Sequence, residues 1–192
     1  MSFLSDNKNF GLAMMVAGIL MAIIAVVNIV LHFTLGVAIT AVGSIIYGLM
    51  IVGVGSSTRK GEISQKLDIL GKYVFVVGAG LIITSLFAAI GVAVEPGLVG
   101  VVAGIITVII SLIIGLIIIW ISKKMTDGQV STIDRVIWII LVIMFIISIL
   151  GAIMQMLGGI LAFLLGVCNL VIFLFLLSAL FDPEVKKAMG MD

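Results

Sequence analysis

A chain of 192 residues that is 64% hydrophobic and only 10% charged lies outside the composition of soluble domains, whose apolar usage is nearer half. Its mean hydropathy of +1.50 points to lipid as the solvent. The formal net charge of +1 conceals a sharp segregation of charge along the chain and gives no argument for a nucleic-acid partner.

Residues 1–9 lack the basic region and small-residue cleavage site of a secretory signal, and the apolar run that follows is too long for a signal core. That run is therefore expected to be the first membrane span. Six apolar runs are read in order at about 10–31, 34–54, 73–94, 98–121, 136–156 and 159–180, with no Asp, Glu, Lys or Arg inside any of them. Helices of roughly 31–36 Å result, long enough to cross a bilayer with modest tilt. Such unbroken apolarity does not suit a barrel strand, which must alternate its faces. The fold expected is all-α and polytopic, a single membrane domain over 1–192 with no soluble domain.

The ten basic residues fall in four segments: Lys8; Arg59, Lys60, Lys66 and Lys72; Lys123, Lys124 and Arg135; Lys186 and Lys187. The links at 32–34, 95–97 and 157–158 carry none. By the positive-inside rule both termini are expected to be cytoplasmic, in a cell or inner membrane. Tyr73, Trp120 and Trp138 are expected to act as aromatic anchors at the inner interface.

The second helix of each pair carries two glycines seven residues apart: Gly36 and Gly43, Gly97 and Gly104, Gly159 and Gly166. Gly61-Glu62-Ile63-Ser64 is echoed by Gly128-Gln129-Val130-Ser131. These spacings predict three parallel hairpin repeats, at about 8–60, 72–124 and 135–187, rather than the inverted repeats of many carriers.

Apolar side chains give helices no reason to associate in lipid, so small residues and interhelical hydrogen bonds must do it. Gly100, Gly104, Thr107, Ser111 and Gly115 form one narrow stripe on the fourth span, and Gly36, Thr40, Gly43, Ser44 and Gly48 do the same on the second. Such stripes either pack the monomer, or line a pore or bind another subunit. Residues 57–72 are read as a short surface helix, with Ile63, Leu67 and Leu70 on one face and a Glu62–Lys66 pair on the other. Ser131 and Asp134 form a capping box for the fifth helix.

Catalysis, metal or cofactor binding needs several polar groups converging. One His and the single Cys168 cannot build a zinc site; Cys168 reads as a buried, inert thiol. No phosphate loop and no nucleophile–base pair is visible. The expectation is a protein that is not an enzyme and holds no cofactor. Proton-coupled carriers place an ionisable group in mid-membrane, and the spans have none. The remaining polar candidates are Asn28, His32, Glu95 and Gln155, either ordinary wetted turn residues or a small polar mouth. His32 would give such a mouth a titratable group near neutral pH.

The paired spans and the glycine pairs at 36/43, 97/104 and 159/166 resemble the HdeD-like short-repeat membrane proteins. That resemblance implies three helical hairpins and an association with acid resistance in some bacteria. It carries over no functional residues, and the proline near the hairpin turn in that family stands here only at Pro96.

Two functions are carried forward. One is a structural or accessory membrane subunit, stress-related by what the resemblance implies, assembled with copies of itself or with other membrane subunits. The other is a passive channel or carrier for a small neutral or lipophilic solute, lined by Asn28, Thr40, Ser44, Thr84, Thr107, Ser111 and Asn169.

Overall fold

The computed structural model describes residues 6–94 and 98–191. All regular structure within them is helical: α1 Asn7–Leu31, α2 Leu35–Lys60, α3 Lys66–Ala93, α4 Leu98–Met125, α5 Thr132–Gln155, α6 Ile160–Leu180 and the short α7 Pro183–Ala188. A 3₁₀ turn, Met156–Gly158, joins α5 to α6. Helices α1 to α6 are long and apolar enough to cross a membrane.

Local chemistry sets the boundaries. Asp6 opens α1 by accepting from the Lys8 amide at 2.9 Å, and the Thr34 hydroxyl opens α2 by accepting from Val37 at 3.1 Å. Gly61 ends α2 in the left-handed region at φ 78°, where a Cβ is strained. At α5, both the amide and the hydroxyl of Ser131 donate to the Asp134 carboxylate, at 2.6 and 2.7 Å, so the acidic residue of the box holds the helix start.

The surface helix expected over 57–72 does not form. Residues 57–60 complete α2, Gly61 turns the chain, and 66–72 are already the first turns of α3. Ile63 and Leu70 do face the interior, but from the α2–α3 turn and the second turn of α3, packed into the bundle core. The turn also separates Glu62 from Lys66, whose ammonium instead bonds to Asp182 beyond α6. Of the three aromatic anchors only Trp120 is exposed, at 52%. Tyr73 and Trp138 are buried; the Trp138 indole donates to the Leu180 carbonyl at 2.8 Å, inside the α5–α6 pair.

The charged segments gather at one end of the bundle. There Asn7 donates to the Ser64 carbonyl at 2.9 Å, Lys66 meets Asp182, and Lys124 lies 3.9 Å from Asp134. The hairpin turns lie at the other end.

Within the first two hairpins, small residues meet at seven-residue steps. A Cβ on Gly18 would stand 2.4 Å from the Gly48 carbonyl oxygen, and one on Gly11 would stand 2.6 Å from that of Gly55. In α3 and α4 the same approach joins Gly78 to Gly115, and the Ser122 hydroxyl donates to Gly71 O at 2.8 Å. The third hairpin is close only near its turn, where Gly166 meets the Ala152 carbonyl. Seven residues on, Phe145 and Phe173 stack at 6.4 Å, holding α5 and α6 farther apart than a glycine pair would.

Packing between hairpins is uneven. Helix α2 lies along α3, α1 meets α6 over less of its length, and α4 barely touches α5. The buried apolar core explains this. Phe10, Met14, Leu70, Leu141, Leu176, Leu180 and their neighbours all lie in the charged-end halves of their helices, with Phe145 alone just past a midpoint. Toward the turns, burial falls to small residues such as Ala25, Ala41 and Ala152. The bundle is knit at its charged end and splayed at its turn end.

Candidate functional site

The splay leaves a cleft of about 330 Å³ near the turn of the first hairpin, walled by α1, α2 and α3. Helix α1 contributes Asn28 and His32, one turn apart; α2 contributes Thr40 and Ser44 at the same spacing. Gly36 and Gly91 form its narrow side, where a Cβ on Gly91 would sit 2.5 Å from Thr40 Oγ1 and 2.6 Å from the Gly36 carbonyl oxygen. Glycine at 91 thus lets α2 and α3 close while leaving room for the threonine hydroxyl. Ala25, Val37, Ala41 and Val92 supply apolar wall. Asn28 and His32 are exposed at the rim.

Among the described residues, none of these four polar side chains makes a hydrogen bond within the chain. Hydroxyls elsewhere in the spans are mixed: Ser111 and Ser148 likewise make no hydrogen bond among the described residues, while others do. Thr84 donates to Gly80 O at 2.8 Å, Thr107 to Ala103 O at 2.9 Å and Ser85 to Ile82 O at 2.9 Å, each satisfied by its own helix.

The other sequence candidates are dispersed. Gln155 lies on the third hairpin and accepts from Asn169 Nδ2 at 3.0 Å, bridging α5 and α6. Glu95 and Gly97 lie outside the described residues. Gly43 faces the Phe87 side chain of α3, whereas Gly104 and Gly166 face the first helix of their own hairpins and Gly159 forms a turn at φ 102°. On α4, Gly100 lies in the first turn, Ser111 and Gly115 are buried and Thr107 is exposed.

Sequence reasoning missed a second cavity, of about 130 Å³, lined by residues of α2 to α6. Tyr47, Tyr73 and Ser148 bring hydroxyls to it, among Val77, Phe145 and Phe173. The Tyr47 ring lies against α3 at Gly80, where a Cβ would stand 2.1 Å from Tyr47 Cδ2. The signal was present: Thr40, Ser44 and Tyr47 recur at spacings of four and three on α2, a face that continues past the glycine stripe.

The described residues form an all-helical bundle with six candidate spans and a polar recess near the turn of the first hairpin. No family model, curated protein or solved structure matches this chain.

Proposed function

We propose that the chain is a non-enzymatic, multi-pass protein of the cytoplasmic or inner membrane, with both termini cytoplasmic, serving as a structural or accessory subunit. Three hairpin repeats form the unit, and it assembles laterally with copies of itself or with other membrane subunits. The observation that carries this reading is α4. It leans mainly on α3, and around the rest of its girth Ile105, Ile109, Ile113 and Ile117 are more than half exposed, with α5 scarcely touching it. Ile143 and Ile147 of α5 are likewise exposed, at 52% and 62%, so a further helix would find ridged apolar surface on both helices.

A conduit is less well supported. Of the seven side chains that would line it, Asn28, Thr40 and Ser44 share a cavity, while Thr107 is exposed on the outside and Asn169 is bonded to Gln155. That arrangement fits a recess better than a path.

The test is the native mass of the protein extracted from its own membranes in mild detergent. A multiple of 20.2 kDa, or a larger particle containing other polypeptides, supports a subunit. A strict monomer with no companion overturns it.

A further inference from the structure

We infer that the cavity of about 130 Å³ enclosed by α2 to α6 is a binding site for a neutral molecule built on one aromatic ring and carrying a hydroxyl or carbonyl oxygen. The inference does not depend on lateral assembly.

Tyr73 supplies the polar side of the site. The residue is 5% exposed, yet its hydroxyl makes no hydrogen bond among the described residues. A buried tyrosine ordinarily finds a partner for its O–H, and leaving one unmet is costly. The oxygen is not sealed among packed side chains either. Among the described residues, Asp134 Oδ1 is the one side-chain atom that is both unpaired and fully enclosed. The Tyr73 oxygen therefore still borders space wide enough for a water, and the space that Tyr73 lines is this cavity. Tyr47 of α2 and Ser148 of α5, likewise without a hydrogen bond, line it too. Three hydroxyls from three helices thus serve one cavity, and each can donate or accept.

Depth makes the guest neutral. Tyr47 lies near the middle of α2, while Tyr73 and Ser148 stand about 10 Å inside the ends of α3 and α5. None of the lining residues is exposed. Charge brought that far into a span is expensive, whereas a neutral oxygen needs only the hydroxyls.

Shape makes it a ring. A cavity of about 150 Å³ admits benzene, so one of about 130 Å³ suits a single six-membered ring and is too small for two. Phe145 and Phe173, whose rings stack at 6.4 Å, form the wall together with the two tyrosines, and Met144 adds a thioether. Aromatic edges and a polarisable sulfur favour a flat aromatic guest. Water would satisfy the hydroxyls and nothing else on this wall. Access is easiest between α4 and α5, which both line the cavity and scarcely touch.

The experiment uses the full chain in lipid nanodiscs with para-fluorophenol, followed by fluorine NMR. A saturable bound resonance is expected, shifted from the lipid-dissolved one by the surrounding rings. The competition series needs no variant to fold. Excess phenol should displace the probe, toluene should do so about tenfold less well for want of an oxygen, and naphthol, with its second ring, should not. Tyr73→Phe, which keeps the ring and removes only the hydroxyl, should weaken binding about tenfold. Ser148→Leu, which fills the cavity, should abolish it. Absence of a saturable resonance would mean that the cavity holds water alone, and would overturn the site. A bound resonance that Ser148→Leu leaves unchanged would overturn it as well, because the probe would then sit on the lipid-facing surface. Equal displacement by toluene would refute recognition by the hydroxyls, and displacement by naphthol would refute the single-ring limit.

Discussion

Glycine at position 18 has its α-carbon against the backbone of α2, so what a methyl group meets there decides its role. The nearest backbone atoms to such a methyl are the Gly48 carbonyl oxygen at 2.4 Å and the Val52 amide nitrogen at 3.0 Å, with the Val52 side chain at 2.8 Å beside them. Neither backbone atom can rotate away, so Gly18→Ala must push the helices apart along their length. Overpacking of this kind typically costs about 1–3 kcal/mol, and the melting temperature in detergent should fall accordingly. Gly53 is the internal control. It lies on the same hairpin, exposed, and a methyl there meets nothing within 4 Å. Gly53→Ala should therefore leave the melt unchanged or raise it, since alanine favours a helix interior by roughly 0.5–1 kcal/mol over glycine. Equal losses at the two sites would show that glycine serves helix flexibility here rather than close approach. Sequence periodicity reveals such residues only in part. Gly11 with Gly18, and Gly48 with Gly55, both show the seven-residue step in the sequence, yet the step alone does not say which neighbour each pair faces.

Elements are tied together at the charged end by polar contacts that span distant parts of the chain. Asp182 caps α7 by accepting from the Glu184 amide at 3.0 Å, and its carboxylate also bonds to Lys66 at the start of α3. The lysine bond, more than the backbone bonds, holds the Asp182 pKa below its ordinary 3.8, against a smaller opposing effect of burial. A carboxyl group depressed in this way stabilises the folded state at pH above its unfolded value, and the contribution is lost as pH falls through the lower folded value. The α6–α7 junction should accordingly loosen below about pH 4. A reporter is built in: Trp138 bonds to Leu180 and meets the Phe181 ring edge-on at 5.3 Å. In a Trp120→Phe background its emission should shift red in acid, and Asp182→Asn should remove that step while shifting the neutral-pH spectrum in the same direction. An acid step unchanged by the substitution would assign the transition to another group. None of this tie was legible beforehand. The sequence separation of 116 between its partners leaves no local pattern, and Lys66 had a nearer candidate in Glu62 that the turn at Gly61 removes from reach. The Ser131–Asp134 box was legible because a helix start is decided within four residues.

At the scale of the whole molecule, long apolar helices follow directly from composition, whereas the depth at which they meet does not. A run such as α4 reads as uniformly apolar, and in lipid every face of it is admissible, so the sequence is nearly silent about which half is packed. The large side chains that settle it, Phe10, Leu70, Phe175 and Leu176 among them, are no more hydrophobic than Ile105 or Leu164, which face outward. The division has a dynamic consequence. The charged-end halves share one continuous core together with the Lys66–Asp182 tie, while the turn-end half of the third hairpin is held to the rest by little; Leu157 is 78% exposed and Ile160 82%. Regions with few buried contacts open at low free energy. Spin labels on Lys8 and Lys187, exposed at the knit end, should therefore give a narrow distance distribution in lipid, with Cys168 replaced by Ser. Labels on Phe33 and Leu157, at the turns of the first and third hairpins, should give a broad one. Removing the core side chain Leu176, which is 1% exposed, by substitution with Ala should cost about 2–5 kcal/mol and broaden both distributions. Truncating Leu164, which is 43% exposed, should broaden neither. If the turn-end pair proves as narrow as the charged-end pair, the splayed half is braced by contacts between hairpins, and the recess between α1, α2 and α3 is a rigid pocket rather than the mouth of a bundle hinged at its charged end.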